Sequence, residues 1–382
     1  MELSIVIPAL NEEKTIAICV RKAMTAINKL KIDGEVLVAD NGSSDNTVKI
    51  AEQTGARVIH VAQKGYGSVL MGGFKAAKGA FLIMGDADDS YNFEEIAPFY
   101  HKLKAGYTFV MGNRFKGTIE KGANPFLHRY LGTPVLTALM NIFFKTGIGD
   151  VNCGMRGLTK QAFYKMRLRA TGMEFATEMI VKASLRKLKI SEVPCNLYKD
   201  KRGRKPHLNA WRDGWRHLRF MLLFTPTWTY IAPGSSLSML GILGMLTITF
   251  RDALGAHYLS FLSQKHIFSF MTLFLLGAQI LGLGLAAHAF SFSKYFDYAS
   301  RSVKFLQRHF RLERGIIAGA ISFLSGISIF SYLPISYYWR ILPFLTDTLR
   351  LDLAAFGIAF IILGVQTIYT SFLISLFYLK VK

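Results

Sequence analysis

Acidic residues, cysteine and an apolar leader are what this chain of 382 residues has least of. Only 25 Asp and Glu stand against 46 Lys and Arg, a formal net charge of +21. The three cysteines, Cys19, Cys153 and Cys195, are odd in number and far apart. That excludes a disulfide framework and a cysteine metal site, and reduced thiols are expected. No zinc-finger, basic-zipper or RNP pattern accompanies the positive charge, so nucleic acid is not an expected partner. The first residues carry no basic n-region ahead of a long apolar run; Leu3 to Ile7 reads as a short strand ended by Pro8, not as a signal peptide. No solenoid repeat and no low-complexity tract is present. A fourth absence is the most telling. The stretches 229–250, 267–290, 316–333 and 353–379 contain no Asp, Glu, Lys or Arg, and each can cross ~30 Å of hydrocarbon. With 51% hydrophobic residues, an apolar and basic chain points to a membrane protein.

The pattern changes near residue 225. Before it, apolar runs at Leu3–Ile7, Glu35–Ala39, Arg57–Val61, Ala80–Met84 and Thr108–Met111 alternate with helical stretches near 12–30, 44–54, 66–78 and 93–105. Such alternation predicts an α/β domain with a mostly parallel sheet covered on both faces. The expected organisation is a domain over 1–208, an amphipathic helix over 209–227 and a membrane domain over 228–382. In the stretch 209–220, Trp211 and Trp215 are four apart, as are Arg212 and Arg216. On a helix this makes an aromatic stripe beside a basic one, suited to a membrane interface; a helix packed on the sheet is the competing reading. The loop between the second and third apolar stretches carries Lys294, Arg301, Lys304, Arg308, Arg311 and Arg314. The flanking loops carry only Arg251 with Lys265, and Arg340 with Arg350. Positive charge stays inside, so the N-terminal domain, the basic loop and the C-terminus are expected in the cytoplasm. Phe305, Leu306 and Phe310 would let that loop lie along the membrane. Gly315-x-x-x-Gly319 reads equally as a helix-packing site or as lipid-facing glycine.

Four polar motifs follow apolar runs in the first half. In Ile5-Val-Ile-Pro-Ala-Leu-Asn-Glu-Glu13 a strand stops at Pro8 and a helix is expected from about Asn11, with acids in its first turn; helix capping alone accounts for these residues as well as ligand binding does. In Val36-Leu-Val-Ala-Asp-Asn-Gly-Ser-Ser-Asp-Asn-Thr47 a strand ends at Asp40, and a helix capped near Ser44 is expected. An acid at a strand end can hydrogen-bond a base or ribose edge. Lys64-Gly-Tyr-Gly67 is neither a Walker loop nor a dinucleotide fingerprint and reads as a turn into a helix. Phe81-Leu-Ile-Met-Gly-Asp-Ala-Asp-Asp-Ser90 drives an apolar strand into Asp86, Asp88 and Asp89. Ligands of open α/β sheets bind at such strand ends. Paired carboxylates there suit a hard divalent cation bridging a diphosphate, although alone the run could be a solvated acidic turn.

In this order the four motifs resemble a family 2 glycosyltransferase of GT-A fold. Gly112-Asn-Arg-Phe115, Leu127-His-Arg-Tyr-Leu-Gly-Thr133, Asp150-Val-Asn-Cys-Gly-Met-Arg-Gly157 and Glu174-Phe-Ala-Thr-Glu178 look like its polyprenyl-phosphate branch, which includes dolichol-phosphate mannose synthases and bacterial lipid-phosphate glucosyltransferases. The resemblance covers roughly 3–225 and reaches the membrane tail only by architecture. It implies inverting transfer of one sugar from a nucleotide-sugar donor, UDP-glucose first, to undecaprenyl or dolichyl phosphate. Pro8, Leu10, Glu12, Asp40, Lys64, Asp86 and Ala87 would bind the nucleotide. Asp86 and Asp88 would hold Mg²⁺ or Mn²⁺. Arg114, Arg129, Thr133, Arg202 and Arg204 would bind the acceptor phosphate, with Asp86, Asp88 and Arg129 carrying catalysis. Arginine suits bidentate phosphate contacts, and the run Lys201–Lys205 equally suits anionic headgroups. Some mannose synthases of this type have Gln where Ser90 stands, so a metal role for Ser90 is not expected. GDP-mannose and UDP-N-acetylglucosamine stay open as donors, and homo-oligomerisation stays compatible. A processive polysaccharide synthase is disfavoured because Gln-x-x-Arg-Trp is absent from the sequence and four spans are few. A flippase is disfavoured because transport paths need polar groups, and Gln279 and His288 read as packing or interface residues.

Overall fold

Leu3–Ala9 carries no charge and lies buried along almost its whole length, as β1. A strand so uniformly apolar must be covered on both faces, which places it inside a parallel sheet. In the computed structural model β1 pairs in parallel with β2 (Gly34–Asp40) on one side and β4 (Phe81–Met84) on the other. The structure describes residues 1–201, 210–250, 263–294, 312–339 and 347–378. It has two compact units, Met1–Met221 and Leu222–Lys382.

The first unit holds a seven-stranded mixed sheet in the order β3-β2-β1-β4-β6-β5-β7. β3 is Arg57–His60, β5 Phe109–Asn113, β6 Arg156–Thr159 and β7 Ile190–Pro194. The five expected strands form. β6 and β7 were not anticipated, and β6 runs antiparallel to both β4 and β5. Its reversal delivers the segment before it, Asp150–Met155, to the sheet end where β4 releases Asp86.

The helices between strands are α1 (Ile16–Leu30), α2 (Thr47–Gln53), α3 (Tyr66–Ala76), α4 (Ala97–Lys104), α5 (Thr133–Phe144), α6 (Lys160–Met166) and α7 (Phe175–Leu185). In α1 the residues Ile16, Cys19, Val20, Ala23, Ala26 and Ile27 recur at helical spacing and are buried, so one stripe faces the sheet. It begins later than expected. Asn11 takes φ 57°, a left-handed conformation outside any helix. Its side chain accepts hydrogen bonds from Ser44, 2.8 Å from the backbone nitrogen. α2 likewise starts at Thr47, with Asn46 at its N-cap position in place of Ser44.

α8 (Ala210–Leu223) closes this unit. His217 Nδ1 lies 2.6 Å from Thr177 Oγ1 of α7, Met221 is buried, and Trp215 is exposed. One face therefore packs on the domain while the other stays open. The side chains of Trp211 and Arg212 lie outside the described residues.

The second unit comprises α9 (Ala232–Phe250), α10 (Ile267–Lys294), α11 (Leu312–Trp339) and α12 (Asp347–Tyr378). Four spans, Thr227–Phe250, Gln264–Phe290, Leu312–Pro334 and Thr348–Phe377, are long and apolar enough to cross a membrane. Glycine lets the helices meet at backbone distance. A Cβ at Gly319 would lie 2.7 Å from the Gly364 carbonyl, and one at Gly364 would lie 2.6 Å from the Gly319 carbonyl. Gly315 faces Ser371 of the same helix, α12. The glycine pair at 315 and 319 thus packs helices and does not face lipid. The basic loop with Arg301, Lys304, Arg308 and Arg311, its Phe305, Leu306 and Phe310, and the residues Arg251, Arg340, Lys380 and Lys382 lie outside the described residues.

Candidate active site

The register Ala9↔Asp40 and Val6↔Met84 sets the ends of β2, β1 and β4 side by side. Each end releases a polar motif, and hydrogen bonds join them in sequence. The Asn11 amide donates to Ser43 Oγ at 2.9 Å, joining the first motif to the second. Asn41 Oδ1 accepts from the Gly65 amide at 2.9 Å and Lys64 Nζ donates to the Asn41 carbonyl, joining the second to the third. Tyr66 OH donates to Asp86 Oδ1 at 3.1 Å, joining the third to the fourth. Burial and the negative charge of Asp86 hold the Tyr66 hydroxyl well above its ordinary pKa, so it stays a donor. Sequence reasoning assigned no role to Tyr66; its place between two glycines at a helix start was the signal.

The nucleotide-binding candidates divide by what they expose. Pro8 is half-buried and Leu10 exposed at the mouth of β1. Glu12 is buried, and its backbone amide donates to Thr47 Oγ1 at 2.7 Å. Asp40, at the end of β2, is already engaged in the turn that follows it. Its carboxylate accepts the Gly42 amide at 2.9 Å and the Ser43 amide at 3.1 Å, and lies 3.3 Å from His60 Nδ1. Burial pushes this carboxyl up, but the Ser43 hydroxyl and the two amides outweigh it and hold it below the usual range. Asp40 orders the turn that other groups use.

Asp86 is half-buried and Asp88 is buried. A Cβ at Gly154 would sit 2.5 Å from Asp86 Oδ2, so the segment preceding β6 approaches this carboxylate as bare backbone. Ala87 is buried between the two acids. Ser90 Oγ donates to Asp88 Oδ1 at 2.6 Å and the Ser90 amide donates to the same oxygen at 3.0 Å. Ser90 therefore orients Asp88. Among the described residues no three His, Cys, Asp or Glu gather as a metal cage. Two carboxylates fit an ion of the Mg²⁺ kind, which keeps waters and substrate phosphates among its ligands and needs no all-protein cage.

Asp89 has a distinct task. Its backbone is left-handed, φ 59°, and its buried side chain bridges Lys22 of α1 at 2.5 Å and Lys201 at 2.7 Å. Beside it the Lys201 amide donates to the Asp88 carbonyl at 3.1 Å, and the Tyr198 amide to the Ser90 carbonyl at 2.9 Å. The acidic loop is thus fastened to the segment that leads into the basic run.

The acceptor-side candidates separate. Arg114 is buried, and its Nε and Nη2 grip Asp150 at 2.7 and 2.8 Å. A guanidinium committed in this fork holds the segment 150–155 and is not an open phosphate clamp. Thr133 is buried too, its hydroxyl accepting from Asn152 at 3.0 Å. Arg156, never a candidate, is fully buried and donates to the carbonyls of Cys153, Val151 and Ala176. Glu178 accepts the amides of Arg169 and Ala170, and Thr171 of the same loop accepts the Gly67 and Ser68 amides at the start of α3. Arg129 alone among the described acceptor candidates has no ion pair and is partly exposed; it lies in a π-helical turn, His128–Gly132, that runs into α5, 5.4 Å from the Tyr130 ring. Arg202 and Arg204 lie outside the described residues.

Around Arg129 the chain exposes an apolar ridge that sequence reasoning missed. Phe126 is 74% exposed, and Leu127, Tyr130, Leu131, Val135 and Ile142 are exposed with it. Leu136, Met140 and Phe144 fill the opposite side. The spacing of 127, 131, 135 and 142 was its signal, hidden because Leu136 and Met140 make the helix apolar all round. A ridge of this kind beside a cation suits a membrane surface.

Comparison with known proteins adds an independent line. Residues 4–167 match the sequence family of glycosyl transferase family 2, and 285–378 match the family 2 C-terminal transmembrane region. The low-salt glycan biosynthesis hexosyltransferase Agl6 of Haloferax volcanii is 41% identical over 64% of this chain, and the match spans 59% of that relative's length. The undecaprenyl-phosphate 4-deoxy-4-formamido-L-arabinose transferase of Klebsiella pneumoniae is 27% identical over 80% of this chain and 93% of its own. A solved glucosyl-3-phosphoglycerate synthase of Mycobacterium tuberculosis is 21% identical over 58% of this chain and 77% of its own, with a TM-score of 0.46.

Proposed function

Because the chain belongs to glycosyltransferase family 2, we propose that it transfers a single sugar from a nucleotide-sugar donor, UDP-glucose first, to a polyprenyl phosphate. The observation that carries this reading is the hydrogen-bonded series from Asn11 to Asp86, which lines the sheet end and stops at paired carboxylates. The undecaprenyl-phosphate relative, whose match takes in 80% of this chain and 93% of its own, supports the lipid acceptor.

In this mechanism Pro8 and Leu10 border the nucleobase side, Asp40 and Lys64 hold the turn around it, and Glu12 backs it. Asp86 and Asp88 would hold Mg²⁺ or Mn²⁺, which when bound neutralises charge on a departing diphosphate. Tyr66 and Ser90 fix the two carboxylates before substrate arrives, so little reorganisation accompanies the reaction. The nucleophile is a phosphate oxygen, already ionised near neutral pH, so no strong general base is required. Arg129, with Arg202 and Arg204, aligns that phosphate for attack on the anomeric carbon, with inversion. Arg114 and Thr133 act one step back, through Asp150 and Asn152. The apolar ridge from Phe126 to Ile142 meets the lipid surface, and the catalytic unit and the C-terminus face the cytoplasm.

The test is transfer of labelled sugar into organic-extractable lipid by purified protein with undecaprenyl phosphate and Mn²⁺. UDP-glucose, UDP-N-acetylglucosamine and GDP-mannose are run in parallel, each with EDTA. One donor giving a lipid product that EDTA abolishes, and that Asp88→Asn abolishes without loss of fold, supports the assignment. Near-normal turnover by Asp88→Asn would remove the metal assignment.

A further inference from the structure

The membrane unit carries a largely apolar groove that holds two side-chain amides. α10 and α12 run parallel. Near their first turns Gln264 Nε2 donates to the Thr348 carbonyl at 3.1 Å, and near their last turns the rings of Phe290 and Phe377 meet edge to face with centroids 5.3 Å apart. Between them lies a cavity of about 170 Å³, lined among others by Gln279, Leu283, Gln366, Tyr369 and Thr370. Tyr369 is 72% and Leu283 53% exposed, so the groove opens away from the unit's own core.

The two glutamines stand at one level. Gln279 and Gln366 are each eleven residues before the phenylalanine that ends their span, or about 16 Å along a helix at 1.5 Å per residue. That depth is near the middle of a hydrocarbon layer of ~30 Å. Among the described residues neither amide has a hydrogen-bond partner. An amide facing hydrocarbon without one is strongly disfavoured, and polar side chains at such positions associate helices.

We propose that this groove is the contact surface between two copies of the chain. Acyl and prenyl chains offer neither donor nor acceptor to an amide. An amide offers both, so the same patch on a second copy complements itself. Two copies inserted in the same direction are related by an axis along the membrane normal, which brings together residues of equal depth. Two amides level on adjacent parallel helices meet that requirement. The concavity over Leu283 and Thr370 receives the exposed Tyr369 of the other copy.

The test is single-molecule photobleaching of singly labelled full-length protein in liposomes at dilute protein-to-lipid ratio. Wild type is expected to bleach mainly in two steps. Gln279→Leu/Gln366→Leu is expected to bleach mainly in one, with at least a tenfold lower dimer fraction. Leu283→Trp, which blocks the groove from outside its own packing, gives a second variant with the same expectation. Monomeric wild type would overturn the proposal, as would dimers that persist in both variants. So would monomers that retain a bound lipid in native mass spectrometry and lose it on Gln279→Leu/Gln366→Leu.

Discussion

Arg114 and Arg129 belong to neighbouring motifs and invite the same role, yet the structure sets them in opposite surroundings, so replacing each with alanine should give opposite results. Arg114 is 9% exposed and its partner Asp150 is not exposed at all. Removing one member of a buried pair leaves an uncompensated charge and costs about 3–5 kcal/mol. For a domain of 150–250 residues that lowers Tm by about 6–20 °C. The assay is built into the chain, because Cys19, Cys153 and Cys195 are all buried free thiols. A thiol-reactive dye therefore reports unfolding of the first unit. Arg129→Ala removes a partly exposed side chain with no ion-pair partner from a π-helical turn and should shift stability by less than about 0.5 kcal/mol. Its loss should instead raise the KM for lipid phosphate about tenfold or more, the worth of a charge-assisted hydrogen bond of about 1.5–3 kcal/mol, with little change for the nucleotide sugar. If Arg114→Ala melts with wild type and raises only the lipid KM, the Asp150 pairing does not define its role and the reasoning fails.

Glu35 accepts Arg57 Nε at 2.8 Å, the Lys78 amide at 2.7 Å and Ser4 Oγ at 2.7 Å. Burial pushes its carboxyl up, but Arg57, the Lys78 amide and Ser4 outweigh this and lower its pKa. Its stabilisation is therefore complete above the unfolded pKa of about 4.3 and disappears as pH falls through the lower folded value; Glu35→Gln should flatten the acid limb of a denaturation midpoint-versus-pH curve. Asp89→Asn keeps a residue that tolerates the left-handed backbone but strands Lys22 and Lys201. Since those lysines are 25% and 59% exposed, the cost should be about 1–3 kcal/mol, below that of a fully buried pair, read as a lower dye midpoint. Gly319→Val should force α11 from α12 at a cost of about 1–3 kcal/mol, seen as faster proteolysis of the membrane unit; unchanged proteolysis would contradict the close packing.

The parts of the fold that were legible in sequence were those with uninterrupted apolar character. β1, β2 and β4 announce themselves because both faces of the sheet are covered, and the four spans because helices long and apolar enough to cross a membrane carry almost no charge. β6, Arg-Gly-Leu-Thr, and β7, Ile-Ser-Glu-Val-Pro, do not. Their polar residues have tasks in the tertiary structure: Arg156 staples three carbonyls, and Glu192 accepts the Gly149 amide at 2.6 Å and Asn113 Nδ2 at 3.1 Å. Side-chain type named the candidate residues, but pairing decided which groups remain available, and pairing depends on residues far away. Arg114 looked like a phosphate ligand because nothing near it in sequence betrays Asp150. Asn11 looked like a cap because its actual partners, Ser43 and Ser44, come more than thirty residues later.

The bond from Lys201 to Asp89 has a consequence for the order in which the protein is made. All four polar motifs have left the ribosome once residue 90 emerges, yet the strand that flanks β4 ends at Thr159, and the second lysine on Asp89 comes 112 positions after it. Chains grow at about 5–20 residues per second, so the acidic loop waits several seconds for its last partner. That partner arrives shortly before the first apolar span, which begins at Thr227. The acidic loop is thereby fastened shortly before the first apolar span is made, and a chain stopped before Tyr198 would hold Asp89 by Lys22 alone.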